Sequence, residues 1–190
     1  MPYKTLSAYR RAHRKGEDSF DYKKSHNLLK DYEQYGRWKK VLGDKEMPET
    51  LAEFQEMKYN NSKKFELLKD YKNSVDRGAV SPLIGYKKYS EIKQQIENQV
   101  VGLTTTSGIK ITGQRKHFID RVIGSVEQRR NGVAINDIIR CITNGEIELV
   151  KRRKNGLESK VIKLSGVCEV SFNNNGELIQ VNPVHRSKNE

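Results

Sequence analysis

The chain has 190 residues, enough for one ordinary core or for one small domain with a helical extension, and too few for two large domains. Hydrophobic residues make up 35% and charged residues 32% of it, which is poor in core-forming material for a single domain of this length and points to a part that is extended or partner-dependent. The formal charge of +12 is shared evenly, with 21 Lys/Arg and 15 Asp/Glu in residues 1–100 and 15 and 9 in residues 101–190, so no basic tail explains it. An excess of this size draws polyanions to the whole molecule: nucleic acid is the first expected partner, an anionic membrane surface the second. A lysine-rich surface kept only for solubility is the plainer reading of the same charge.

No apolar run approaches the length needed to cross a bilayer, and Met1-Pro2-Tyr3-Lys4 is not followed by an apolar stretch, so neither a span nor a leader is expected. Residues 5–15, TLSAYRRAHRK, form a basic start that ends at Gly16. From Tyr22 to Leu42 the residues Leu28, Leu29, Tyr32, Tyr35, Trp38 and Leu42 recur at helical spacing, and Gly43 supplies a stop. Pro48-Glu49-Thr50 opens a second helix carrying Leu51, Phe54, Met57 and Tyr59. After a break at Asn60-Asn61-Ser62 the pattern continues through Phe65, Leu68 and Tyr71 or Lys72. A loop from Gly78 to Gly85 leads to a polar helix from Tyr86 to about Val100. These apolar stripes are narrow, which predicts loose packing of the helices on one another or on a partner.

The character of the chain changes at Val101-Gly102. Residues 1–100 are therefore expected to form a charged helical region, 101–183 a compact domain and 184–190 a polar tail. Leu103–Thr106 and Ile109–Thr112 are β-branched and alternating around Ser107-Gly108, the pattern of a tight hairpin or two short strands. A helix from about Arg115 to Ile123 with a Gly124 stop comes next. Another follows from Val133 to Ile142, with Asn136 and Asp137 suited to its first turn. Strands are predicted at Ile147–Arg153, Ser159–Leu164, Gly166–Asn173 and Glu177–Asn182, with turns at Lys154-Asn155-Gly156 and Asn174-Asn175-Gly176. The fold class is α+β: charged N-terminal helices, then two helices on an antiparallel sheet of four or five strands.

Chemistry concentrates on the helix Lys116 to Gly124. Offsets of three and four residues place His117, Asp120 and Arg121 on one face, and put Phe118, Ile119, Val122 and Ile123 on the opposite, buried face. An imidazole beside a guanidinium suits metal-free cleavage of an RNA phosphodiester: the imidazole takes the 2′-hydroxyl proton and the Arg fork holds the non-bridging oxygens. Lys116 and Arg115 at the helix start add phosphate affinity. No paired carboxylate motif suggests a metal nuclease, and Cys141 and Cys168 lack the spacing of a zinc site and read as reduced, buried small hydrophobes of a cytosolic protein. No cofactor is expected. The other histidines, His13, His26 and His185, lie in charged helices or the tail and offer no rival site.

A second catalytic or substrate-binding group is expected from the sheet region: Lys110, Thr112, Lys160, Ser171, Asn173, Gln180 or Asn182. Period 2 puts Gln180 and Asn182 on one face of the last strand and Ile179 and Val181 on the other. The plainer reading of each is the solvent face of an edge strand, and of His117 a hydrogen-bonded surface histidine.

Three stretches, MPETLAEFQEMKYNNSKKFELLKDYKNSV, GLTTTSGIKITGQRKHFIDRVIGSVEQRRNGVAINDI and GELIQVNP, resemble the C-terminal region of minor capsid or head-morphogenesis proteins of phages and prophages of Gram-positive bacteria. KHFIDRVIG also resembles the phage-associated nuclease domains grouped with barnase, EndoU, colicin-type nucleases and RelE. The resemblance covers roughly residues 30–183. It implies N-terminal helices against a four-stranded antiparallel sheet and a metal-independent endoribonuclease activity, with His117 and Arg121 at the matching catalytic positions. It further implies RNA as substrate, phage head or portal proteins and an immunity protein as partners, and the bacterial host cytoplasm or the virion as location. The portal-like body that precedes this module in the family is not seen ahead of Met1, which sets a role in capsid assembly against the resemblance. The other expected readings are a noncatalytic virion or nucleic-acid-binding structural component and, last, a prophage regulator, for which no helix-turn-helix or zinc-finger spacing speaks.

Overall fold

A computed structural model of the chain describes residues 5, 7, 8, 11, 22–152 and 158–184, leaving aside the side chains of residues 22–26, 148–152 and 158. Most of the basic start, the Lys154-Asn155-Gly156 turn and the tail from His185 lie outside the described residues. The chain forms two compact units, Met1–Lys72 and Asn73–Glu190.

The first unit is built from helices α1 (Tyr22–Leu42), α2 (Leu51–Asn60) and most of α3 (Ser62–Asp76), whose end belongs to the second unit. Thr50 starts α2 with a reciprocal capping box: its hydroxyl accepts from the Glu53 amide at 3.2 Å, and the Glu53 carboxylate accepts from the Thr50 amide at 3.3 Å. Asn61 closes α2, and its side chain accepts from the Lys64 amide in the first turn of α3. Tight aromatic packing replaces the loose packing expected of these helices. Trp38 stacks on Phe65 with ring centroids 5.2 Å apart and meets Phe54 edge-on at 5.6 Å, while Tyr35 tilts against Phe54. A ring covers far more area than one position on a helical wheel suggests, so a narrow stripe of aromatics still closes a core.

Asp31 is buried beside that core and accepts from Lys58 Nζ at 2.7 Å, Tyr59 Oη at 2.8 Å and Gln55 Nε2 at 3.0 Å. Burial alone would raise its carboxyl, but the hydrogen bonds from Lys58, Gln55 and Tyr59 outweigh it and hold the group below its ordinary value.

The second unit bears out the α+β class. Its sheet has five strands in the order β1 (Gly113–Gln114), β7 (Glu177–Pro183), β6 (Cys168–Asn173), β5 (Glu158–Leu164), β4 (Glu146–Arg152). The ladder from β4 to β7 is antiparallel, whereas the two-residue β1 runs parallel to β7, pairing Gly113 with Glu177. Helix α5 (Lys116–Ile123) packs on β7, and α6 (Ile135–Asn144) packs on β5 and β6. Helix α4 (Tyr86–Gln99) lies against both of these helices. Phe118, Ile119, Ile138, Ile142, Val170, Phe172, Leu178 and Val181 are among the buried residues of the interior. Cys141 and Cys168 are buried and unoxidised; the Cys141 thiol donates to the Cys168 carbonyl at 3.2 Å.

Leu103–Thr106 and Ile109–Thr112 turn back on each other around Gly108 as a short hairpin, held by the antiparallel Thr104–Lys110 bridge and by the Ile111 amide donating to the Leu103 carbonyl at 2.8 Å, before β7 takes up the returning chain. Three local expectations are corrected. Helix α6 begins at Ile135, two residues later than its apolar pattern. In β7 the simple alternation fails: Ser171 pairs with Gln180 and Phe172 with Leu178, so Ile179 is an extra residue and Leu178 and Val181 are the buried pair. Finally, the stretch after Gly124 holds a second, two-stranded sheet of β2 (Gly124–Ser125) and β3 (Arg130–Asn131).

Candidate active site

Helix α5 is short and its apolar residues Phe118, Ile119 and Val122 are held down by the interior. It ends at Gly124, whose φ of 83° lets the chain leave at a sharp angle. The chain then makes the β2–β3 hairpin and returns so closely over the helix end that the Val133 amide donates to the Val122 carbonyl at 2.9 Å. A side chain at Gly132 would overlap the Val122 and Ile123 carbonyls, which is why glycine stands there.

The hairpin is fastened to the turn that follows α3. The Ser125 hydroxyl donates to the Gly78 carbonyl at 2.7 Å, Gln128 Nε2 to the Arg77 carbonyl at 3.3 Å and Arg130 Nη2 to the Ala79 carbonyl at 3.1 Å. This fastening brings Arg77 to α5. One guanidinium nitrogen, Nη1, lies 3.4 Å from His117 Nδ1 and the other, Nη2, donates to Asp120 Oδ2 at 3.3 Å. His117 Nδ1 is itself 3.8 Å from Asp120 Oδ2.

Asp120 is therefore not a member of the exposed face, as helical spacing alone suggested. It is 3% exposed, because the Arg77 turn and the hairpin cover the flank of α5 on which it stands. Burial pushes its carboxyl up, against the opposing pull of the Ser74 hydroxyl and the Arg77, His117 and Arg130 charges. Its Oδ1 is buried without a hydrogen-bond partner among the described residues.

Arg77, His117, Asp120, Arg121, Gln128 and Arg130 line an open cleft of about 300 Å³. A second cleft of about 220 Å³ adjoins it, sharing Arg121 and Arg130 and adding Arg129, Asn131 and Asn182. Burial, and then the nearby Arg121 cation, lowers the Arg130 guanidinium below its usual value. Two guanidiniums held together in this way are best relieved by an anion between them.

The sequence-predicted residues separate by place. His117 and Arg121 share the first cleft, and Asn182 lines the second. Gln180 lines neither; it donates to Asn182 Oδ1 at 2.9 Å and so orients that amide. Arg115 caps the start of α5 by its backbone, and its guanidinium is paired with Glu177 at 3.0 Å, outside both clefts. Lys116 and Lys110 are exposed and line neither cleft. Thr112 donates to the Asn175 carbonyl and Asn173 to Glu177, both serving the β6–β7 turn. His13 and His185 lie outside the described residues, as does the His26 side chain. Sequence reasoning missed Arg77, Gln128, Arg129, Arg130 and Asn131. The run Gln128-Arg129-Arg130-Asn131 between two glycines was the available signal for four of them; nothing near Arg77 pointed forty residues onward to His117.

In comparisons with known proteins, no family model, no curated sequence and no solved structure matches the chain. Among the described residues no group of three His, Cys, Asp or Glu side chains is placed to hold a metal ion, and no helix is long and apolar enough to cross a membrane.

Proposed function

We propose that the second unit is a metal-independent endoribonuclease domain with His117 as its proton-transfer group, carried by a phage- or prophage-derived, minor-capsid-associated protein. The viral part of this reading rests on the resemblance of the sequence stretches alone. The catalytic part is supported by one observation: an imidazole stands in a cleft with Arg77, Arg121 and Arg130, over a buried carboxylate.

The residues suggest a division of labour. A guanidinium has only donors, so where Arg77 bonds His117 Nδ1 it is the donor and the ring proton is on Nε2. When a scissile phosphate enters, Arg77 and Arg121 turn to its non-bridging oxygens. With Arg77 turned away, the ring gives its Nε2 proton to water and takes one from water at Nδ1, where it faces the Asp120 carboxylate, so that Nε2 becomes the free lone pair. It takes the 2′-hydroxyl proton as O2′ attacks phosphorus, and the bond to the 5′-oxygen breaks. The imidazolium or a water returns a proton to that oxygen, leaving a 2′,3′-cyclic phosphate and a 5′-hydroxyl.

The noncatalytic reading, a nucleic-acid-binding virion or structural component, is favoured by a different observation. Apart from His117 and the buried Asp120, the cleft offers guanidiniums and Gln128, none of which exchanges protons near neutrality. Incubating the purified full chain with single-stranded RNA in EDTA decides between them. Cyclic-phosphate products from the parent and none from His117→Ala support the nuclease; salt-sensitive binding of both RNA and DNA without cleavage supports the structural component.

A further inference from the structure

The cleft beside the His117 site has no role in the chemistry just described, yet it is built as carefully. Arg121 and Arg130 form the wall between the two, and Arg129, Asn131 and Asn182 complete the outer one. Neither Arg121 nor Arg129 forms an ion pair among the described residues, and the Arg130 Nε is buried without a hydrogen-bond partner there. Arg129 is also the one non-glycine residue with a positive φ, 49°, among the described residues. A left-handed arginine is costly and is held by its surroundings, here the β2–β3 turn closed by the Arg129 amide donating to the Val126 carbonyl at 3.1 Å. The Asn182 amide, oriented by Gln180, faces the same cleft with groups suited to phosphate or sugar oxygens.

We infer that this outer cleft is a second phosphate subsite, in which Arg129, Arg130 and Asn182 hold the phosphate next to the scissile one, so that the ligand is an RNA strand and not a single nucleotide. The inference rests on the nuclease reading of His117 for its substrate class, but not for its geometry. Sharing Arg121 and Arg130 between the clefts fits a ligand whose anionic groups repeat along a chain. An acidic peptide offers the same charge without the regular phosphate oxygens that guanidinium forks match.

The test uses the full chain and a 2′-O-methyl RNA pentamer, which binds but cannot form the cyclic product, with a nucleoside 5′-monophosphate and a tetra-aspartate peptide, whose four side-chain carboxylates match the four phosphates of the pentamer, as comparisons. Affinities are measured by titration over a range of salt for the parent, Arg129→Gln and Asn182→Ala. Arg129 is exposed, so its substitution leaves the fold in place, which a thermal melt checks. The expected result is a loss of about tenfold in pentamer affinity for Arg129→Gln, with the log–log salt slope shallower by about 0.7, and no change for the monophosphate. Asn182→Ala is expected to lower pentamer affinity by about threefold with the slope unchanged, as loss of a neutral contact requires. Equal pentamer affinity in parent and Arg129→Gln, an equal loss for the monophosphate, or displacement of the pentamer by the peptide at equal charge would each overturn the subsite. Failure of unmodified RNA to be cleaved by the parent counts against the nuclease reading and leaves these binding results standing.

Discussion

Arg77 Nη1 stands 3.4 Å from His117 Nδ1, two residues forty positions apart joined across the turn after α3. A guanidinium cannot accept a hydrogen bond, so as a hydrogen bond this contact has Nδ1 as its acceptor, which places the ring proton on Nε2. Nitrogen-15 spectra of labelled histidine should show that tautomer for His117 in the parent. In Arg77→Ala the ring should shift toward the Nδ1–H form facing Asp120. On the proposed nuclease reading, RNA cleavage should fall about 100-fold, the usual scale for losing one charge-stabilising donor. An Nδ1–H ring in the parent would show that Arg77 does not donate to it.

Asp120 sets a pH dependence of the opposite sign to that of an ordinary paired carboxylate. Its folded-state value is raised by burial from 3.8, so between 3.8 and the raised value the native state binds more protons than the unfolded one. Stability contributed by the group therefore falls as pH rises through that window and is constant above it. Asp120→Asn should remove the fall. Urea unfolding should show the variant gaining on the parent as pH increases, by on the order of 1 kcal/mol at neutrality. If the chain is the proposed nuclease, cleavage by this variant should nevertheless drop, since the carboxylate that receives Nδ1–H is gone. A variant whose advantage shrinks with rising pH would refute the burial argument.

These two relationships mark where the sequence stopped being readable. Strands β4 to β6 announce themselves by alternation, and β7 by the Asn-Gly turn ahead of it, because each pairs with its neighbour along the chain. The face of α5 that carries His117 is legible for the same reason, since helical period is a local property. The burial of Asp120 is not local: it is produced by Arg77 and by a hairpin fastened through Ser125 and Gln128, and no spacing within α5 contains that information. The parallel β1 is two residues long and is held by β7, and the Ile179 bulge is set by its partner strand, so neither leaves a periodic trace.

Asp31 gives the first unit a conventional acid limb. Hydrogen bonds from Lys58, Gln55 and Tyr59 overcome the cost of burial and depress its carboxyl below 3.8. The stability it contributes is present above 3.8 and is lost as pH falls through the depressed value. Trp38, the single tryptophan, lies in the same unit and reports its unfolding by fluorescence. Asp31→Ala should cost about 2 kcal/mol at pH 7 and flatten the acid limb, because Lys58, Gln55 and Tyr59 lose their common acceptor. An unchanged midpoint at pH 7 would show that the cluster contributes nothing to stability.

Two glycines separate a site requirement from a general preference. Nothing lies within 4 Å of a side chain added at Gly36, which sits inside α1 with ordinary helical geometry. Gly36→Ala should therefore stabilise the first unit by about 0.5–1 kcal/mol through helix propensity, leaving RNA cleavage unchanged. At Gly132 the added methyl would overlap the Val122 and Ile123 carbonyls at the end of α5. Relief requires β3 to move away from the helix, carrying Arg129 and Arg130 away from Arg121 and His117. Gly132→Ala should cost about 1–3 kcal/mol and lower RNA cleavage together with pentamer affinity, even at temperatures where the variant remains folded. Circular dichroism fixes those temperatures, and full activity of the folded variant would show that the hairpin's seat on α5 does not position the arginines.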